Sequence, residues 1–511
     1  MRMDRSRRPN RSTIALACWA CCGSAPAWAL EASEARRAAE ARRIAAEAPA
    51  IGSPFGAGGD PQTSVAQPDT SAKPSANVTT SIADGLGPLG DPGGYRAFLK
   101  RHGVDYSLTY IGEVLGNASG GRRRGGVYAG RLDAQIDLDI EKLVGWKGGA
   151  AHATFYQIQG ADISHSYIGN GMTASGIEAL PSSRLFELWF EQRLFDDRLS
   201  LRAGQLAADT EFAVSQTATL FVNSTFGWPA ILAMDLPSGG PIYPLATPGA
   251  RVKYVPNENL SFQVGVFNGD PAGPDRLGLQ PEPQRRNRRG TNFRVTDPAF
   301  VIGEIAYAYN IDAGSKGQPG TITVGGWHHF GRFDSLRHEV GGLALSGATA
   351  EGAARRLRGN SGVYGMIDQT IYREPNDPND GASAFVRVAA SLGDRNPVDF
   401  YVDAGLAYKG LLPGRSDDTL GVAIAHARFS GGARGADRDA ILLGDDGGGF
   451  VRKAETVLEA TYQVVLGPGI SVQPDFQYII RPGGGLRNPR YPAAGRLADA
   501  AIVGLRWTIR Y

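Results

Sequence analysis

Residues 128–141 read YAGRLDAQIDLDIE. Every second residue is uncharged: Tyr128, Gly130, Leu132, Ala134, Ile136, Leu138 and Ile140. Between them stand Ala129, Arg131, Asp133, Gln135, Asp137, Asp139 and Glu141, all but the first polar or charged. Successive side chains of a strand point to opposite faces, so a strand here has one apolar face and one face with five charges. A helix would instead group Leu132, Ile136 and Ile140 at four-residue spacing. The rest of the chain has to decide between the two.

It decides for the strand. Val104, Tyr106, Leu108 and Tyr110 alternate with Asp105, Ser107 and Thr109, and Glu113 continues the polar face. Phe186, Leu188, Phe190 and Leu194 alternate with Glu187, Trp189, Glu191 and Arg193. Leu199, Leu201 and Ala203 alternate with Ser200 and Arg202. Leu458, Ala460, Tyr462 and Val464 face away from Glu455, Glu459, Thr461 and Gln463. About sixteen such segments run from 104–115 to 499–511, and the period they share is two. Between them, tight turns such as Phe195-Asp196-Asp197 and Leu466-Gly467-Pro468-Gly469 alternate with long connections at 160–183, 207–248, 268–300, 330–361, 429–454 and 480–498. The connection 392–397 is the exception. Short turns at one end and long loops at the other are the asymmetry of an outer-membrane barrel. The reading is all-β: a transmembrane antiparallel β-barrel of about sixteen strands, with short periplasmic turns, long external loops and an aqueous interior.

Composition is consistent with this. The 511 residues are 42% hydrophobic and 20% charged, with 69 Gly. After the N-terminus no apolar run approaches the roughly 18 residues of a spanning helix. Residues 1–29 read as an export signal: Arg2, Arg5, Arg7, Arg8 and Arg11 precede a short apolar stretch and the small-residue site Ala27-Trp28-Ala29. Cys18, Cys21 and Cys22 are the three cysteines, all inside that segment, so the remainder has no thiol for a disulfide or thiolate metal site. Its removal takes away five Arg and one Asp, leaving 48 basic and 50 acidic residues, which gives no reason to expect nucleic acid as a partner. Residues 30–48, rich in Ala, Glu and Arg, are expected to form a periplasmic helix, and 49–92 a Pro/Gly/Ser-rich linker to a barrel domain over 93–511. The chain stops on Tyr511, with Ala501, Val503, Leu505, Trp507 and Ile509 on the same face; such a terminus resembles the signal read by the barrel-insertion machinery.

Three stretches carry a family resemblance. They are GDPGGYRAFLKRHGVDYSLTYIGEVLGN at 90–117, RLFELWFEQRLFDDRLSLRAGQLAADTEFA at 184–213 continuing to LFVNSTFGWP at 220–229, and GARVKYVPNENLSFQVGVFNGDP at 249–271. GVYGMIDQTIYRE at 362–374 and VQPDFQYIIRPGG at 472–484 add to them. Together they resemble the carbohydrate-selective porin family of OprB type. The resemblance implies a monomeric or weakly associated sixteen-stranded channel in the outer membrane that admits sugars by passive diffusion; it does not fix the sugar, and small glucose-like monosaccharides, with no cofactor, are the expectation.

A sugar-selective pore requires hydrogen-bonding groups at a constriction and a flat aromatic surface, with binding weak enough to release the solute. Alternation nominates Glu113, Arg131, Asp133, Asp137, Glu187, Trp189, Glu191, Arg193 and Arg202 as pore lining. Trp189 is a candidate for stacking on a pyranose, and Arg131 for facing Glu187 or Glu191 across the lumen. The connection 207–248 carries Asn223, Phe226 and Trp228; it either folds inward as a constriction or caps the outside. His328-His329 is a poor metal pair because strand neighbours point to opposite faces. Arg122-Arg123-Arg124 and the arginines of 285–289 fall on external loops, where lipopolysaccharide phosphate or plain solvation suits them. Asp445-Asp446-Gly447 reads as a turn. No stretch resembles a known nucleophile context; the alternatives are a non-specific small-solute pore and, behind it, a barrel enzyme such as a protease or phospholipase or a structural envelope protein.

Overall fold

The computed structural model describes residues 80–275, 278–311, 315, 317–346, 352–375, 380–444, 449–488 and 495–511. In it the alternating segments become sixteen strands: β1 (Val104–Gly121), β2 (Gly125–Asp139), β3 (Gly149–Gly160), β4 (Ser182–Leu194), β5 (Leu199–Leu206), β6 (Thr247–Asn257), β7 (Leu260–Asn268), β8 (Ala299–Tyr309), β9 (Gly320–Glu339), β10 (Ala354–Arg373), β11 (Gly381–Ser391), β12 (Val398–Lys409), β13 (Thr419–Phe429), β14 (Ala454–Gly467), β15 (Ile470–Ile480) and β16 (Ala498–Arg510). Each pairs with its sequence neighbours, and β16 returns to pair antiparallel with β1, closing the barrel. Closure leaves no strand edge unpaired, which is what a sheet in hydrocarbon requires.

The two faces separate as their chemistry demands. Val114, Ile136, Leu188, Val252, Val264, Val324, Val363 and Val503 are exposed on the outer wall. Glu113, Arg131, Asp133, Glu191, Arg251, Glu304, Arg387, Asp403, Glu455, Glu459 and Asp475 are buried on the inner one. No helix among the described residues is long and apolar enough to cross a membrane.

Two local departures from strict alternation have identifiable causes. At the end of the opening stretch the Asp139 carboxylate accepts the Lys142 N–H at 3.1 Å and caps a helix, Ile140–Val144, so Ile140 and Glu141 leave the strand. In β4 the register slips: Ala153 faces Leu188, but Phe155 faces Leu185. This bulge re-aims the side chains beyond it. Phe186, expected on the outer face with Leu188, turns inward and stacks on Tyr156 with ring centroids 4.7 Å apart.

Residues 80–101 form short helical turns and a helix, Tyr95–Arg101, beside the strand ends. The Gly469 N–H donates to Thr80 Oγ1 at 3.1 Å, and the Tyr511 hydroxyl donates to the Gly90 carbonyl at 2.9 Å. The part of the expected linker that is described, 80–92, thus packs against the β14–β15 turn and the last strand. The expected export signal, the 30–48 helix, linker residues 49–79 and the Asp445-Asp446-Gly447 turn lie outside the described residues.

Inside, the connections 161–181 and 207–246 enter the barrel. The second carries a buried apolar group, Phe212, Phe221, Phe226, Trp228, Ile231 and Leu232, which packs with Phe267, Phe300 and Phe385 of the wall. Room for it comes from the inner face of β13, where Gly421, Ala423, Ala425 and Ala427 replace larger side chains. A Cβ on Gly421 would lie 2.5 Å from Leu220 Cδ2 and 3.0 Å from Phe221 Cε1. Gly421→Val should therefore cost about 1–3 kcal/mol by overpacking, read as a lower heat-modification midpoint of the folded barrel in detergent gels.

Candidate functional site

The inserted loops have backbone polar groups and no strand partners, and the wall supplies the missing acceptors and donors. Glu459 of β14 accepts the Val222 and Asn223 N–H groups at 2.6 and 2.9 Å. Glu455, two same-face positions earlier on β14, accepts from Met172 at 2.7 Å, Gly171 at 2.9 Å and Gly483 at 2.5 Å. Glu304 of β8 takes the Ala213 N–H at 2.5 Å and Glu187 of β4 the Ala207 N–H at 2.9 Å. Gln473 and Gln477 of β15 donate to the Leu220 and Ala174 carbonyls at 2.7 and 2.8 Å. Arg387 of β11, held to Asp403 of β12 by an ion pair at 2.5 Å, also donates to the carbonyls of Ala213, Thr225 and Phe226. A loop that leaves β5 and is gripped by β8, β11, β14 and β15 spans the interior from one wall to the other.

Where that loop leaves the wall, four charges form a square. Arg202 of β5 and Arg251 of β6 are direct cross-strand partners. Arg202 binds Glu191 at 2.5 Å and Glu211 at 2.7 Å; Arg251 binds Glu211 at 2.5 Å and Glu191 at 3.5 Å. Burial alone would raise the Glu211 carboxyl, but the guanidiniums of Arg202 and Arg251 outweigh it and hold it below the ordinary carboxylate range. One register step toward the short-turn end runs a second row: Arg193, Ser200, Lys253 and Gln263 on β4 to β7. Arg193 is 35% exposed along its side chain, and Lys253 is partly exposed without a hydrogen bond or ion pair among the described residues.

The sequence profile described as "Carbohydrate-selective porin, OprB family" matches residues 123–511. The chain belongs to that family. It is 25% identical to Porin B of Pseudomonas aeruginosa over 419 residues, covering 78% of this chain and 87% of that one. Its fold matches the high-pH structure of Pseudomonas putida OprB with a TM-score of 0.70 at 21% identity, over 82% of this chain and 97% of that one. Family and barrel fold together point to a channel of the outer membrane.

Within this porin, the residues expected to line the pore divide by partner. Arg131 does not face Glu187 or Glu191; its guanidinium holds Asp133 through two bonds of 2.6 and 2.8 Å and lies over the rings of Tyr156 and Tyr243. Glu113 is fully buried and paired with Arg506 across the β1–β16 seam at 2.6 Å. Trp189 has His152 stacked from the β3 side at 4.9 Å and Arg202 over its ring from the β5 side at 3.7 Å, so its faces are occupied by protein. Trp228 is buried within the inserted loop, and Asn223 Nδ2 donates to Gln477 Oε1 at 2.9 Å. Asp137 stays 37% exposed, and its carboxylate accepts from His152 Nδ1 at 2.7 Å. His328 and His329 point to opposite faces, one to Ser361 and the other to the Gly269 carbonyl.

Glu211, Arg251, Lys253, Glu304, Arg387 and Asp403 were not singled out by their sequence context, although Arg251 and Lys253 alternate visibly in GARVKYV. Removing one anchor tests the role of this shell. Glu459→Ala leaves two buried N–H groups without an acceptor, a cost of about 1–3 kcal/mol each. Single-channel conductance in planar bilayers should rise and become noisier, and residues 207–246 should be cut faster by protease; unchanged conductance and cleavage would show that the loop holds without Glu459.

Proposed function

We propose that this porin passes glucose-like monosaccharides by passive diffusion, and that the row Arg193, Ser200, Lys253 and Gln263 meets the permeating sugar. The observation that carries the reading is charge compensation. Arg131 with Asp133, Arg202 and Arg251 with Glu191 and Glu211, Arg387 with Asp403, and Arg506 with Glu113 are all opposite-sign partners inside the wall. An ion-selective pore relies on rings of one sign, whereas paired charges leave hydrogen-bonding capacity with little net field, which suits a neutral polyol. The partly exposed cations of the row offer donors for sugar hydroxyls. Glu191, Arg202 and Trp189 then act behind the row, fixing its position, and the loop carrying Asn223 and Trp228 narrows the passage.

Liposome swelling with the purified, refolded chain tests this. Glucose should enter faster than an uncharged non-sugar of equal size, and Lys253→Ala together with Arg193→Ala should remove that advantage while size-dependent entry persists. Rates ordered by size alone would replace the proposal with a non-specific small-solute pore.

A further inference from the structure

The square inside the barrel shows what a cross-strand arginine pair needs. Like charges directly opposite in a sheet repel, and Arg202 and Arg251 are held together by two carboxylates. A second such pair exists on the outside. Arg332 of β9 and Arg358 of β10 are direct cross-strand partners, and both are exposed. Neither guanidinium has a hydrogen-bond or ion-pair partner among the described residues.

Nearby carboxylates are engaged elsewhere. Asp334, opposite Arg356, is paired with it at 3.1 Å. Arg395 is ion-paired with Asp394 at 2.8 Å and donates to the carbonyls of Arg358 and Gly359, bringing one more cation to the place. The arginine runs on the loops differ. Arg122 and Arg123 donate to the carbonyls of His165 and Ser166, and Arg286 donates to those of Gly273, Gln280 and Pro281.

Position completes the argument. Along the outer face of β9, Val324 and Phe330 are exposed at 60% and 62%, and Val363 lies on β10 beside them. Arg332 follows Phe330 on the same face, about 7 Å further along the strand. The β9–β10 connection is at the long-loop, external end. The pair therefore stands where the apolar band ends and the outer-leaflet headgroups begin. Two guanidinium forks side by side match the several acceptor oxygens of a phosphate.

We propose that Arg332 and Arg358 form a binding site for a lipid-borne phosphate of the outer leaflet, the headgroup phosphate of lipid A, seated on the outer wall above Phe330. The lipid supplies the anion that Glu191 and Glu211 supply inside.

Native mass spectrometry of the full chain in detergent, with bisphosphorylated lipid A as probe, tests the site. The wild-type chain should retain lipid A. Arg332→Gln with Arg358→Gln should weaken retention by about tenfold, the scale of a lost charge-assisted contact. Equal retention by the double variant, or by the wild type of phosphate-free lipid A, would overturn the proposal. Displacement by equimolar inorganic phosphate would overturn the assignment to a lipid. Arg358→Glu supplies a carboxylate from the protein itself; it should raise the melting midpoint in lipid-free detergent and abolish lipid A retention. That opposite movement of stability and binding decides the matter even where the double variant fails to fold.

Discussion

A buried backbone N–H must find an acceptor, and in this barrel the acceptors are carboxylates. A sixteen-stranded wall encloses more space than its own side chains can fill. This chain fills part of it with the connections 161–181 and 207–246, whose amides have no sheet to join. Glu187, Glu304, Glu455 and Glu459 meet those amides from three strands of the wall, β4, β8 and β14. The shape of the passage follows from where these acids stand.

Acids in such positions are costly to desolvate and strongly destabilising when a partner is removed. That asymmetry favours a single seat for each loop. A backbone amide shifted by one residue would leave both a carboxylate and an N–H unmet. The apolar cluster around Phe226 and Trp228 adds non-directional packing, and the polar anchors give it a register. The channel's charge pairs work in the same way: Arg202 and Arg251 tolerate one another because Glu191 and Glu211 are fixed beside them.

Much of the fold could be read from the sequence, because lipid outside and water or protein inside impose a period of two on every strand. YAGRLDAQIDLDIE showed its faces correctly from Tyr128 to Asp139, and the alternation of loop lengths showed which end carries the long connections. Alternation assigns a face, however, and says nothing of partners. Arg131 and Trp189 lie on the inner face as expected, yet one is bound to Asp133 and the other is enclosed by His152 and Arg202. The bulge that turns Phe186 inward depends on pairing with β3 and has no local mark. The inward course of 207–246 did leave traces. Its residues 220–232 are too apolar for an external loop, and between Thr419 and Phe429 the inner face of β13 holds only Gly421, Ala423, Ala425 and Ala427.

The anchors also lie far apart along the chain. Both inserted connections are complete by residue 246, but Glu455, Glu459, Gln473 and Gln477 belong to the last third. Without β14 and β15 the early segment keeps the anchors of β4, β8 and β11. Its full seating waits for the strands that also bring β16 to β1. Closure of the wall and full seating of the loops therefore depend on the same strands, and a barrel truncated before β14 would lose part of its internal fastening along with its seam.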